Sequence, residues 1–171
     1  MSTIAQILGS LCLVATIISY LLKNHTQYLI ASLTINGLYA IQYFILGGIS
    51  GFIASLIALT RTGVFYVYKV KNKKPSIYLL ILFEVIMLIF GVITYKDILS
   101  LIPIATGCLF TWVAWQSSYK VVCIAGMLVG ILWCFYNYYV GAYVTILTGI
   151  FEFCASLIGL IKQCKQEKTY K

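Results

Sequence analysis

Apolar runs broken by short polar or glycine-rich punctuation make up most of the chain: Ile4–Leu22, Tyr28–Leu46, Phe52–Val70, Ile77–Tyr95, Ile98–Gln116, Val121–Val140 and Tyr143–Ile161. Each approaches the ~20 residues that a helix needs to cross the hydrocarbon core at ~1.5 Å per residue. The runs are continuous rather than alternating, which argues against a barrel of short strands. Inside lipid the backbone must then satisfy itself as helix. The pattern predicts an all-α polytopic membrane protein with seven transmembrane helices.

Composition sharpens this. Of 171 residues, 62% are apolar, 15% aromatic and only 9% charged, and the mean hydropathy is +0.99. A soluble domain carries about 25% charged residues, so a soluble fold, a disordered chain and a disulfide-stapled scaffold are all excluded. The spans leave no room for a second domain: 1–171 reads as one membrane domain. The charges carry topology. Lys23, Lys69, Lys71, Lys73, Lys74, Lys120, Lys162, Lys165, Lys168 and Lys171 fall on one side of the seven-span arrangement, and only Lys96, beside Asp97, falls on the other. Lysine prefers short cytoplasmic loops, which predicts N-terminus out and C-terminus in. The net charge of +8 then reads as attraction to anionic headgroups, with the lipid bilayer and no nucleic acid as partner. Met1 to Gln6 lacks the basic n-region of a cleavable signal, so the first helix is expected to remain.

Offset against itself by 94 positions, the chain brings Ile4 onto Ile98, the turn Lys23 to Thr26 onto Ser117 to Lys120, Leu38 onto Leu132 and Gly47 onto Gly141. The punctuation repeats more than the residues do. The expected architecture is 3+1+3: a first triple-helix bundle over 4–70, a linker helix over 77–95, a second triple-helix bundle over 98–161 and a cytoplasmic basic tail over 162–171. A single linker helix lets two parallel repeats enter the membrane from the same side, with a cavity on the axis between them.

Four polar groups interrupt the spans near mid-depth: Asn36, Arg61, Glu84 and Glu152. A charge there costs at least ~2.5 kcal/mol on insertion scales, so these residues are expected to face the bundle interior. Arg61 and Glu84 lie on sequential helices and could simply lock them together. Glu152 then lacks a cation at its own depth and is either a protonatable coupling group or a third member of that cluster. Trp133 and Asn137 share a helical face at i, i+4; the repeat places Tyr39 and Tyr43 opposite, with Asn36 a turn earlier. A flat ring beside an amide suits a neutral polar solute, whereas Tyr136, Tyr138 and Tyr139 read as an interfacial aromatic belt. Pro103 falls one turn into the fifth span, where its missing N–H matters little.

Other chemistry is thin. Cys12, Cys108, Cys123, Cys134, Cys154 and Cys164 stand singly, without metal-ligand spacing, and read as small packing residues. His25, the one histidine, reads as a solvated loop residue beside Lys23, and Asn24-His25-Thr26 is a sequon on the wrong side of the membrane. No nucleophile, base and acid group together. The chain is expected not to be an enzyme, and to need no cofactor or metal.

Gln42-Tyr43-Phe44-Ile45-Leu46-Gly47, Ala54-Ser55 followed by Arg61-Thr62, Leu101-Ile102-Pro103 followed by Thr111-Trp112, and Trp133-Cys134-Phe135-Tyr136-Asn137-Tyr138 leading to Gly141 resemble, in this order and spacing, the YgjV family of bacterial inner-membrane proteins. Ala58 stands where that pattern has Asn one turn before the Arg, and Asn is also replaced in the last helix near Ala155. The resemblance implies a multi-pass protein of the bacterial inner (cytoplasmic) membrane and adds Trp112 to the residues of interest. More distantly, the architecture resembles the SWEET, PQ-loop and nicotinamide-riboside carriers, and Trp133 to Asn137 is similar to the W-x-x-x-N element of the last group. That likeness implies facilitated or proton-coupled movement of a small neutral or weakly charged solute. The expected pocket residues are Asn36, Tyr39, Tyr43, Trp112, Trp133 and Asn137, with Arg61, Glu84 and Glu152 as a buried charge cluster. A non-transporting scaffold or partner subunit is the alternative, and homo-oligomerisation is left open.

Overall fold

The computed structural model describes residues 3–21, 25–71, 73, 75–115 and 119–169. Seven α-helices follow one another: α1 (Thr3–Leu21), α2 (His25–Ile45), α3 (Ile49–Val70), α4 (Ile77–Ile93), α5 (Ile102–Trp115), α6 (Tyr119–Val140) and α7 (Tyr143–Thr169), with a 3-10 turn over Ile98–Leu101 ahead of α5. Three of them, α3 and the stretches Cys123–Val140 and Tyr143–Ile161, are long and apolar enough to cross a membrane; the apolar stretches of α1, α2, α4 and the turn with α5 are shorter.

Local chemistry sets the helix ends. Gly47 and Gly141 take φ of 72° and 77°, a left-handed conformation that costs glycine nothing. Each closes a Schellman cap: Gly48 N–H donates to the Tyr43 carbonyl at 2.9 Å and Gly47 N–H to Phe44 at 3.2 Å, while Ala142 donates to Asn137 at 2.8 Å and Gly141 to Tyr138 at 3.2 Å. The two reversals lie at positions related by the 94-residue offset, and so do the first residues of α2 and α6 and of α3 and α7. At the 94-residue offset these reversals and helix starts recur, whereas α1 and α5 do not start at related positions.

Three boundaries differ from expectation. The fifth run does not open as α-helix. Asp97 caps a 3-10 turn, accepting from Ser100 N–H at 2.9 Å while Ser100 Oγ accepts from Asp97 N–H at 3.3 Å, and Pro103 then occupies the first turn of α5, where no N–H is needed. α7 continues through 162–169 because Lys, Gln and Glu propagate a helix after the apolar run has ended. His25 and Thr26 belong to α2 rather than to a loop; Lys23, Asn24, Lys74 and Lys171 lie outside the described residues.

Six helices pack in a ring, α1 on α2, α2 on α3, α3 on α5, α5 on α6, α6 on α7 and α7 on α1. Helix α4 sits outside this ring against α3 and α5, held by a cluster of Ala54, Ile57, Phe83, Met87 and Ile104. The outer surface is apolar, with Leu11, Phe44, Leu88, Val92 and Ile150 all exposed, whereas Thr16, Gln42, Ser55, Thr106, Asn137 and Thr148 are buried. This inversion of the soluble pattern suits a protein whose solvent is hydrocarbon.

Candidate functional site

A cavity of about 400 Å³ occupies the centre of the ring, lined by α1, α2, α3, α5, α6 and α7 and by no residue of α4. Toward the turns between α1 and α2 and between α5 and α6 its lining runs past Asn36 and Ser32 to Ser19, Leu29 and Cys123. Toward the two glycine reversals it ends on a closed floor. There Tyr43 Oη donates to Asn137 Oδ1 at 2.7 Å, and both side chains are 1% exposed. The ring of Tyr43 stacks on Tyr39 (centroids 5.9 Å apart) and on Trp133 (5.6 Å), and Tyr136 meets Tyr43 and Trp133 edge-on.

Around this stack the two halves of the ring clasp each other reciprocally. Gln42 Nε2 on α2 donates to Thr145 Oγ1 on α7 at 2.7 Å and to the Ala5 carbonyl at 3.0 Å. At the repeat-related positions, Gly51 N–H on α3 donates to Tyr136 Oη on α6 at 2.8 Å, and Ser50 Oγ lies 3.1 Å from the same oxygen. Small residues make both contacts possible. A Cβ on Gly9 would stand 2.9 Å from Gln42 Nε2, and one on Gly51 would stand 2.7 Å from Tyr136 Oη. Below the clasp, Tyr139 Oη donates to Asp97 Oδ2. That hydroxyl first, and the Ser100 N–H next, hold the Asp97 carboxyl below its ordinary range.

Of the expected residues, Asn36, Tyr39, Tyr43, Arg61, Trp133, Asn137 and Glu152 all line the cavity. Asn137 is occupied: besides accepting from Tyr43, its Nδ2 faces the Thr145 carbonyl at 3.5 Å, so it fastens the floor. Asn36 donates to the Ser32 carbonyl of its own helix at 2.9 Å. Arg61 Nη1 donates to Thr111 Oγ1 at 2.5 Å and to the Gly107 carbonyl at 3.3 Å, fastening α3 to α5.

Two expected residues fall elsewhere. Trp112 is 43% exposed and absent from the lining; Thr111, next to it on the helix, turns inward to Arg61, and ~100° per residue therefore sends Trp112 outward. Glu84 is also absent from the lining, because α4 lies outside the ring. It approaches Cys108, which also lies within coulombic reach of Arg61, and its Oε1 is buried without a hydrogen bond among the described residues. Tyr136, read from sequence as an interfacial belt residue, is 1% exposed, while Tyr138 and Tyr139 are 70% and 47% exposed as a belt requires. Gln42, Thr145 and the inward role of Tyr136 escaped sequence reasoning. The offset that pairs Gln42 with Tyr136 and Gly51 with Thr145 was the available signal.

The apolar exterior, the polar interior and the repeated reversals fix the class of protein, and a family model described as bacterial inner membrane protein, Imp-YgjV, matches residues 3–167. The chain belongs to the YgjV family. It is a multi-pass protein of the bacterial inner membrane. No curated protein and no solved structure matches it. The cavity floor is built from the segments that carried the resemblance: Gln42 and Tyr43 from one, Trp133, Tyr136 and Asn137 from another.

Proposed function

We propose that this YgjV-family protein carries a small solute across the inner membrane, by alternately opening its central cavity to either side. The reading takes the ring as two parallel triplets, α1–α3 and the turn with α5–α7, joined by α4 as linker, with the N-terminus outside and the basic C-terminus inside. The observation that supports it best is the reciprocal clasp: polar, buried contacts close one end of a cavity whose polar lining continues toward the other. Polar groups buried in membrane protein are costly and tend to mark solute paths. Two repeats in contact through such groups can rock about the stack of Tyr39, Tyr43 and Trp133 without unfolding either half. The lining offers hydroxyls, amides, a carboxyl and a guanidinium, which can hold a polar solute, and the reading is a carrier and not an enzyme. The bilayer and a small solute are its partners.

The test is two-sided access. In a cysteine-free background, Ser32→Cys is placed on the cavity wall and treated with a membrane-impermeant thiol reagent in right-side-out and in inverted vesicles. A carrier gives labelling in both preparations. Labelling confined to one preparation, or to neither, favours a scaffold in which Arg61, Cys108 and Glu84 merely lock α3, α4 and α5 together.

A further inference from the structure

Glu152 is, among the described residues, the one carboxylate on the cavity wall. Among the described residues no hydrogen-bond donor and no cation registers at it. The cavity's other charge, Arg61, is turned to α5, where Thr111 and the Gly107 carbonyl accept from it. The repeat gives neither charge a counterpart: Ala58 stands at the position related to Glu152, and Ala155 at that related to Arg61. One wall of the cavity therefore carries a carboxyl group that the repeat does not balance.

Beside that carboxylate lies one end of an aromatic stack. Tyr39 is within coulombic reach of Glu152, and its ring continues through Tyr43 to Trp133, with interplanar angles of 23° and 18°. The face of an aromatic ring attracts a cation, most strongly where water is excluded. A carboxylate adds a charge-assisted contact that is stronger than a neutral one. An anion meets repulsion from both features, and a neutral molecule gains only the stacking. A carboxylate without a cation halfway through a membrane protein is also costly, and a positively charged cargo would offset that cost while bound.

We infer that the cavity takes an organic cation, whose ammonium or similar head group pairs with Glu152 while a flat apolar part rests on Tyr39, the end of the Tyr39–Tyr43–Trp133 stack nearest that carboxylate. This rests on the carrier reading for the identity of the cavity as the cargo site. The volume of about 400 Å³ suits a molecule of one or two rings.

The test uses the full chain in detergent, with Trp112→Phe and Trp115→Phe leaving Trp133 as the only indole. Its emission is titrated with phenyltrimethylammonium, with phenylacetamide as the neutral counterpart and phenylacetate as the anionic one. The expected result is that the cation binds about tenfold or more tighter than the amide and that the anion does not bind. Glu152→Gln should lose about tenfold or more for the cation and leave the amide unchanged, and Glu152→Asp should retain the preference. The proposal is overturned if the amide or the anion binds as tightly as the cation, or if Glu152→Gln binds the cation like the wild type, as a site serving only protons would. Should Glu152→Gln fail to fold, the order of the three probes on the wild-type cavity decides alone. Proteoliposome uptake separates the two readings. A cation bound in detergent but never moved sinks the carrier and keeps the cation site, whereas an amide moved while the cation is refused keeps the carrier and sinks the cation site.

Discussion

Replacing Tyr43 by Phe removes a single oxygen from the cavity floor. Asn137 Oδ1 then loses the donor that stands 2.7 Å away. Both side chains are 1% exposed, so bulk water does not replace it, and the other amide contact, at 3.5 Å to the Thr145 carbonyl, is too long to compensate. The Phe ring keeps the stacking on Tyr39 and Trp133, which isolates the hydroxyl. An acceptor orphaned in a soluble core costs ~1–3 kcal/mol, whereas hydrogen bonds between membrane helices average ~0.6 kcal/mol. A loss of about 0.6–2 kcal/mol from the closed floor raises its open population by about 3- to 30-fold. The assay places a lone cysteine on the cavity wall, Ala54→Cys, now 4% exposed, and follows its reaction with an impermeant thiosulfonate applied from the side of the glycine reversals. The rate should rise by that factor in Tyr43→Phe and fall back in Tyr43→Phe/Asn137→Leu, where no orphan remains. A rate unchanged by the single substitution, or a double variant as fast as the single one, would refute a floor held shut by this contact.

Three further outcomes follow from the same geometry. Gly51→Ala drives a methyl to 2.7 Å from Tyr136 Oη and 2.8 Å from its ring; overpacking of ~1–3 kcal/mol outweighs the ~1 kcal/mol gained in helix propensity, so the detergent-solubilised protein should melt at lower temperature, and an unchanged or higher midpoint contradicts the clasp. Trp112→Phe, on a side chain 43% exposed and outside the cavity, should leave binding of the cationic probe, measured by equilibrium dialysis, within about twofold of the wild type. Asp97 has its folded pKa depressed by the Tyr139 hydroxyl and the Ser100 N–H, so its contribution is fully present above the ordinary aspartate value of ~3.9 and is lost as pH falls through the depressed value. A melting series should show this loss only below about pH 4, and Asp97→Asn should abolish that part of the acid dependence.

The sequence carried more of the backbone than of the site. Gly47 and Gly141 announced two reversals because only glycine takes their positive φ cheaply, and both are Schellman caps in the fold. Arg61 was identifiable as inward because a charge is poorly suited to lipid, and Trp133 and Tyr39 because they share a helical face, or a repeat-related position, with a buried amide. Gln42 gave no such sign. An amide three residues from the end of a span has the same composition whether it meets headgroups or, as here, crosses to Thr145. Tyr136 and Tyr138 are both tyrosines at the same helix end, yet one is 1% and the other 70% exposed.

From its own residues, then, this chain settles that it is a helical, multi-pass membrane protein, because hydropathy, run length and glycine punctuation act locally. Which face of each helix turns inward, and that α4 with Glu84 stays outside the ring while Glu152 reaches the cavity, was decided by tertiary packing. The reason is physical: lipid and neighbouring helices are equally apolar, so hydrophobicity that marks a span cannot distinguish the face toward hydrocarbon from the face toward protein.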